Sequence, residues 1–511
     1  MPMGGMYAPP ESSAQARREE TAAQAHLERA KKMLASDNFP GARAELERAI
    51  AADPGLADAY LNLGMVEYQL GDTAKAIPHL ARAVELLPNS FEAHYGLALA
   101  YLRARNTTEG IRELERARQI NPRHPDAAYN LGIVLLGQGK AEEAARLFDE
   151  TRRLGPDRPD VSFYVVYAAL EGRRFDDAAR EAMERAKVFG SDFQWRSGVG
   201  RLFLEHGRAR EALEHLEAAV NLQPDSSEAR RLLAAARLEL RDSAGVLVAL
   251  PNPQTTEDHY MRASALYLLR RYPEARRESQ QALAGESRQP KYLLLAAQLA
   301  QRAGQHQQAL ELLAEAVKAA PDWPEPYYSQ GVSYYLERRY EEARRSLARA
   351  VELDPNSSRA LFVYAATLVN QSKNREAEDY LHRALRLEPA NARFYYHLGA
   401  LLLRDNRGEE ARAAFEQAAR LKSDYAPPHY QLGKILLTAG QADAAARELE
   451  SAVRYDSEFA QAYYQLSRAY TSLGQKEKAA AALANFNRLK KQETDEDREL
   501  LEGMRKEIEA P

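Results

Sequence analysis

Cysteine is absent from this chain, and tryptophan occurs only twice in 511 residues. Without thiols there is no disulfide framework, no thiolate metal site and no cysteine nucleophile. A cysteine-free chain suits the cytosol and an oxidising periplasm equally. No apolar run approaches the roughly 20 residues that a transmembrane helix needs, which argues against direct membrane insertion. An excess of one charge is missing too: 70 basic residues stand against 74 acidic ones, for a net charge of −4. That balance argues against nucleic acid as the partner, because a dedicated binder needs a basic footprint. The opening stretch Met1 to Pro10 has neither the basic nor the apolar region of a secretory signal. Read literally, this is a cytoplasmic chain. A chain whose signal peptide had been removed would read as periplasmic.

Catalytic signatures are equally scarce. There is no His-Glu-x-x-His stretch, no phosphate-binding loop and no Gly-x-Ser-x-Gly elbow. Gly198 and Gly200 imitate the start of a dinucleotide loop, but the third glycine is replaced by Phe203. The eleven histidines are scattered, and nothing supplies a metal-ligand set. The expectation is a non-enzymatic protein without cofactor or metal.

What the chain has is repetition. Prolines 54, 88, 122 and 156 recur every 34 residues, each closing an amphipathic run such as Leu80–Pro88. On this register seven units open at Ala23, Ala57, Phe91, Pro125, Pro159, Phe193 and Ser227. Seven more open at Thr256, Pro290, Pro324, Ser358, Ala392, Ala426 and Ala460. The eighth place of a unit is small (Gly64, Ala98, Gly132, Gly331, Gly399, Gly433). The twentieth is nearly always alanine, as in Ala42, Ala76, Ala144 and Ala343, and the twenty-seventh repeats the preference in Ala49, Ala83 and Ala117. Two helices approach closely only where neither carries bulk at the crossing, and larger residues at places seven and twenty-four then fill the space beside it. Leu63 with Leu80 and Leu398 with Phe415 are examples.

These positions resemble the tetratricopeptide repeat (TPR) family over about Ala23 to Lys491, with Ala57–Pro88 and Pro324–Pro355 matching especially well. The resemblance implies an all-α fold: a right-handed superhelical α-solenoid of about 14 helix pairs, closed by a C-terminal capping helix. The expected organisation is a disordered tail over 1–12 and an N-terminal array over 13–242. A short irregular helix or hinge over 243–255 follows, then a C-terminal array over 256–491 and a cap over 492–511. The irregular stretch is marked by a unit of only 29 residues and by Pro251 and Pro253. The cap is read from a helix start at Thr494 and Asp497 and from Leu500, Leu501, Met504 and Ile508 on one face. A dimerising terminal helix is the other reading of that stretch, so the partners include a second copy joined through terminal repeats.

In such a family the first helix of each pair lines the inner surface, where a partner protein or peptide binds. The fifth place of each unit then faces the groove: Tyr95, Tyr129, Phe163, Tyr260, Tyr328, Phe362, Tyr396, Tyr430 and Tyr464. Tyrosine offers wide contact and a hydroxyl at low entropic cost, although the same residues also suit packing between successive first helices. His397, Arg393, Lys434 and Arg468 join the candidates for partner contact, with His429 beside Tyr430. Second places run acidic early (Asp58, Glu92, Asp126, Asp160, Glu228), and basic residues gather late (Arg359, Arg393, Arg404, Lys434, Arg468). On a shared inner wall, the two halves would offer opposite potentials.

A terminal-carboxylate clamp, known in chaperone-binding members, does not fit. Around Asn62 the required Lys and Asn places hold Leu27, Lys31, Glu92 and Gly96. The asparagine ladder of sugar-transferase solenoids is missing as well, since later sixth places read Ser329, Val363, His397, Gln431 and Gln465. Two functions follow: a scaffold holding a partner segment in its groove, or an assembly subunit of a cell-envelope or secretion complex using its ends or convex face.

Overall fold

The computed structural model describes residues 11–155, 158–285 and 288–509. Among them are 28 α-helices and no strand, arranged as fourteen consecutive antiparallel pairs. The chain divides into two compact units, Met1–Asn252 and Pro253–Pro511. In the first, the first helices are Glu11–Leu34, Ala57–Gln69, Phe91–Arg103, Pro125–Gly137, Pro159–Glu171, Phe193–Glu205 and Ser227–Glu239. In the second they are Thr256–Leu268, Pro290–Arg302, Pro324–Leu336, Ser358–Asn370, Ala392–Arg404, Ala426–Thr438 and Ala460–Ser472. Thirteen of the fourteen begin at the register positions read from the sequence. The exception opens at Glu11, a full three turns before Ala23. Each unit is a tandem helical solenoid.

Local chemistry sets these boundaries. Many first helices start behind a side-chain cap: Ser90, Asp192, Ser226, Ser357 and Asn391 each accept a backbone N–H of the first turn, and Thr255 forms a reciprocal capping box with Asp258. All but the first, which ends at Leu34, end two residues before a left-handed residue at the fifteenth place. Glycine fills it six times, at Gly71, Gly139, Gly207, Gly304, Gly440 and Gly474. The other eight are Asp37, Arg105, Arg173, Arg241, Arg270, Arg338, Ser372 and Asn406. The turn closes by paired bonds, such as Gly71 N–H to Tyr68 O at 3.1 Å and Asp72 N–H to Glu67 O at 2.8 Å. Most second helices close on the twenty-seventh-place alanine, as when Leu87 N–H reaches Ala83 O at 2.8 Å.

The core runs as a chain of clusters through each unit. Eighth-place glycines meet the twenty-fourth-place residue directly. A Cβ on Gly132 would lie 2.7 Å from Phe148, one on Gly399 2.8 Å from Phe415, and one on Gly200 2.6 Å from Leu216. Ala42, Ala76, Ala144, Ala343, Ala49, Ala83 and Ala117 are fully buried. Adding a methyl at such a crossing overpacks it, at roughly 1–3 kcal/mol. The pair opening at Pro159 exchanges the sizes: Val166 holds the eighth place and Ala182 the twenty-fourth, both fully buried. Arg185 takes the alanine place there. Its second helix, Phe175–Phe189, buries only Ala178 and Ala182 and leaves Met183 and Val188 exposed.

The short second helix is Ser243–Ala249, followed by the prolines. At the C-terminal end the structure differs from the sequence reading, because Lys476–Glu509 is one helix of 34 residues with no new start at Thr494. Alanine, leucine, lysine and glutamate dominate this stretch, and no proline or glycine stands between Lys476 and Leu501 to stop the helix. Of the tail expected over 1–12, Glu11 and Ser12 already belong to the first helix, while residues 1–10 and the side chains of the expected cap from 493 on lie outside the described residues.

Candidate partner-binding face

First helices touch the first helices of the next pair, for example Ala57–Gln69 with Phe91–Arg103 and Ala426–Thr438 with Ala460–Ser472. Second helices make no comparable contact with one another. Within each unit the first helices therefore line the tighter, inner side. Places two, five and nine follow one another at spacings of three and four, so they share one face of each helix.

Eight of the nine fifth-place aromatics are half-buried, and Tyr464 is 42% exposed. Their rings lean on the following pair. Tyr129 lies 5.7 Å from Tyr164, Tyr260 4.8 Å from Tyr292, Phe362 5.0 Å from Phe394 and Tyr430 4.8 Å from Phe459. Tyr396 lies 5.6 Å from Tyr425, and Tyr464 5.3 Å from Phe486 of the terminal helix. Tyr95 stacks on Phe91 at 5.4 Å, and its hydroxyl accepts from Asn130 at 2.9 Å. Phe163 packs so close to the next pair that a Cβ on Gly198 would lie 3.0 Å away. Burial, reinforced by Asp126, pushes the Tyr95 hydroxyl up to about 12. Burial likewise raises Tyr129, Tyr328 and Tyr430, so these hydroxyls stay protonated and able to donate at neutral pH.

Cations stand beside the rings. Arg359 lies over Tyr328 at 5.3 Å, Lys434 over Tyr430 at 5.4 Å and Lys291 over Tyr260 at 5.0 Å. Arg393 and Arg468 are exposed on the same faces as Tyr396 and Tyr464, and Arg468 donates to Gln465 at 3.1 Å. His397 is exposed between Phe362, at 4.8 Å, and Tyr396, at 5.2 Å. Arg404 instead borders an open polar crevice at the helix turns, with Asn374, Asp405 and Arg407. In the first unit Arg158 ties two members of the acidic row together, meeting Asp126 at 3.2 Å and Asp160 at 2.6 Å. A recess of about 280 Å³ opens between Tyr430, Tyr464, Gln461, Gln465 and Phe486.

His429 belongs elsewhere than beside the groove. Its Nδ1 pairs with Glu448 at 2.7 Å and its Nε2 donates to Ser423 O at 2.9 Å. The same fourth-to-twenty-third-place tie occurs in His26–Glu45 (2.7 Å), His94–Glu113 (2.6 Å) and His259–Glu278 (2.6 Å). Arg196 with His215 at 3.2 Å is the same tie with a cation in the fourth place. The glutamate bond raises His429 above its ordinary value, while burial and the Arg196 charge push His215 down to about 4. The spacing of 19 residues between His and Glu was the readable signal for these ties. Among the described residues no group of three or more metal-ligating side chains assembles, and no helix is long and apolar enough to cross a membrane.

No curated protein matches the chain significantly. Solved structures of similar fold include a chain of the APC/C hetero-tetramer Cut9–Hcn1, with a TM-score of 0.42 at 14% identity, covering 86% of this chain and 95% of that one. MamA (41-end) from Desulfovibrio magneticus RS-1 aligns with a TM-score of 0.32 at 23% identity, over 34% of this chain and 99% of its own. YrrB, described as a TPR protein with an unusual peptide-binding site, aligns at 0.31 and 23% identity, over 35% and 93%. The tetratricopeptide repeat pattern matches residues 27–91, 68–127, 95–159, 129–192, 200–245, 294–358, 365–426 and 430–486, well over half of the chain. With its paired helices and small-residue crossings, the chain belongs to the tetratricopeptide repeat family.

Proposed function

We propose that the chain is a non-enzymatic scaffold that holds a segment of a partner protein against the inner faces of its first helices. The observation that carries this reading is the row of fifth-place aromatics flanked by cations, of which Arg359, Arg393 and Arg468 are exposed, with a recess at Tyr430 and Tyr464 sized for a side chain. Half-buried tyrosines that already pack on neighbours are pre-ordered, so a ligand meets rigid contact area at little entropic cost. Changing Tyr396, Tyr430 and Tyr464 together to alanine is expected to abolish partner capture while helicity, read by circular dichroism, is kept. Because these rings also pack, the exposed pair Tyr464→Ala and Arg468→Ala serves as a second variant. Partner capture unchanged in both would overturn the groove reading.

A second reading has its own observation. The terminal helix runs 34 residues where the other second helices run 7 to 15, so it continues well beyond its first-helix partner. Such an extension suits end-to-end assembly into a larger complex. Under that reading, removing the residues after Lys491 disrupts co-purification with the complex, and the tyrosine variants do not.

A further inference from the structure

Resting on the groove reading and deepening it, we infer that the inner face of the last four helix pairs takes an acidic polypeptide segment carrying apolar anchor residues. The first helices Ser358–Asn370, Ala392–Arg404, Ala426–Thr438 and Ala460–Ser472 contain no aspartate or glutamate at all. The second helices between them, by contrast, carry three carboxylates each. Acidic residues are thus sorted to the outer helices and excluded from the inner ones.

What the inner helices do carry is one cation beside one aromatic on each: Arg359 with Phe362, Arg393 with Tyr396, Lys434 with Tyr430 and Arg468 with Tyr464. Each pair is three or four residues apart and so shares a face. Many arginines elsewhere in the chain are engaged by carboxylates, as Arg118 is by Glu150 and Arg407 by Glu378 and Glu410. Among the described residues, none of the four groove cations has a carboxylate within salt-bridge distance. Glu388, in a turn of the same region, is bonded by Ser358 and Asn391 and offers Arg359 only a longer-range attraction.

Unneutralised charges of one sign along a walled face focus their field on whatever enters it. Acidic side chains supply the missing counter-charges, and the recess at Tyr430, Tyr464 and Phe486 accepts an apolar one. A cationic, aromatic face also suits single-stranded nucleic acid. Polypeptide is favoured because the chain as a whole is acidic, with a net charge of −4, which disfavours a long polyanion.

The test is selection of binders to the intact chain from a random 16-residue peptide library. Peptides whose binding is lost in the Tyr396→Ala, Tyr430→Ala, Tyr464→Ala variant are then sequenced. These peptides are expected to be rich in Asp and Glu around Leu, Phe or Tyr. Their affinity should fall about tenfold or more in Lys434→Glu, Arg468→Glu, and the exposed single change Arg468→Glu, with helicity kept by circular dichroism, should by itself weaken them in the same direction. Groove-dependent peptides that are neutral or basic would overturn the inference and leave the groove reading standing. So would acidic peptides indifferent to the charge reversal, or a 20-nucleotide single strand that binds the same face more tightly. A library yielding no tyrosine-dependent peptide would remove the groove reading and the inference together.

Discussion

At the scale of the residue, the least comfortable positions are the left-handed turns. Arg105, Arg173, Arg241, Arg270 and Arg338 hold positive φ with exposed side chains that make no hydrogen bond or ion pair. A side chain in this region costs about 1–2 kcal/mol relative to glycine, although glycine returns part of it as entropy of the unfolded chain. Replacing Arg105, Arg173 or Arg338 by glycine is therefore expected to stabilise the protein by roughly 0.5–1 kcal/mol each, read as a raised urea midpoint. The six glycines at this place were visible in the sequence, but the eight substitutes hid the rule. Polar residues tolerate the left-handed region well enough that composition alone does not mark the turn. The eighth, twentieth and twenty-seventh places were legible for the opposite reason. A crossing that admits no Cβ, as at Gly132 against Phe148, leaves the sequence no latitude.

At the scale of the element, each hairpin is closed by small-residue packing and, in several pairs, by a tie between the fourth and twenty-third places. His215 is buried beside Arg196, and its proton affinity is lowered to about 4. A histidine depressed in the folded state favours folding fully above its unfolded value near 6.5, and that contribution is lost as pH falls toward 4. The difference is about 3 kcal/mol when complete. His215→Gln keeps an acceptor for Arg196 without a titrating ring. It is expected to flatten the loss of stability between pH 6.5 and pH 4, measured by urea unfolding. His429 runs the other way: raised by Glu448, it stabilises below its unfolded value and ceases to as pH rises through its folded one. Helix positions were legible almost to the residue because periodicity, caps and prolines agree. The long terminal helix was misread because a capping-box pattern at Thr494 has no force inside a stretch of uninterrupted helix formers.

At the scale of the whole molecule, the chain resolves into two compact units meeting in sequence at Asn252 and Pro253. Each has its own set of buried clusters, built from contacts between neighbouring pairs. Residues 1–252 and 253–511 made separately are expected to fold, and the sum of their helical circular dichroism should match that of the intact chain. A half that is unstructured alone would show that the two share one cooperative fold. Which faces bind was less legible than which faces pack. The fifth-place aromatics serve neighbouring pairs in any event, so their presence did not by itself separate a partner's anchor from a structural ring. The absence of carboxylates from four successive inner helices became meaningful only once those helices were seen side by side.

One consequence follows from how the register divides its labour. Places eight, twenty and twenty-seven are spent on closeness, while place two carries charge in most units and is never fully buried. Recognition and architecture are thus spelled in different letters of the same 34-letter word. Such a surface can be respelled, rung by rung, for a new correspondent while the grammar that holds the molecule together stays as it was.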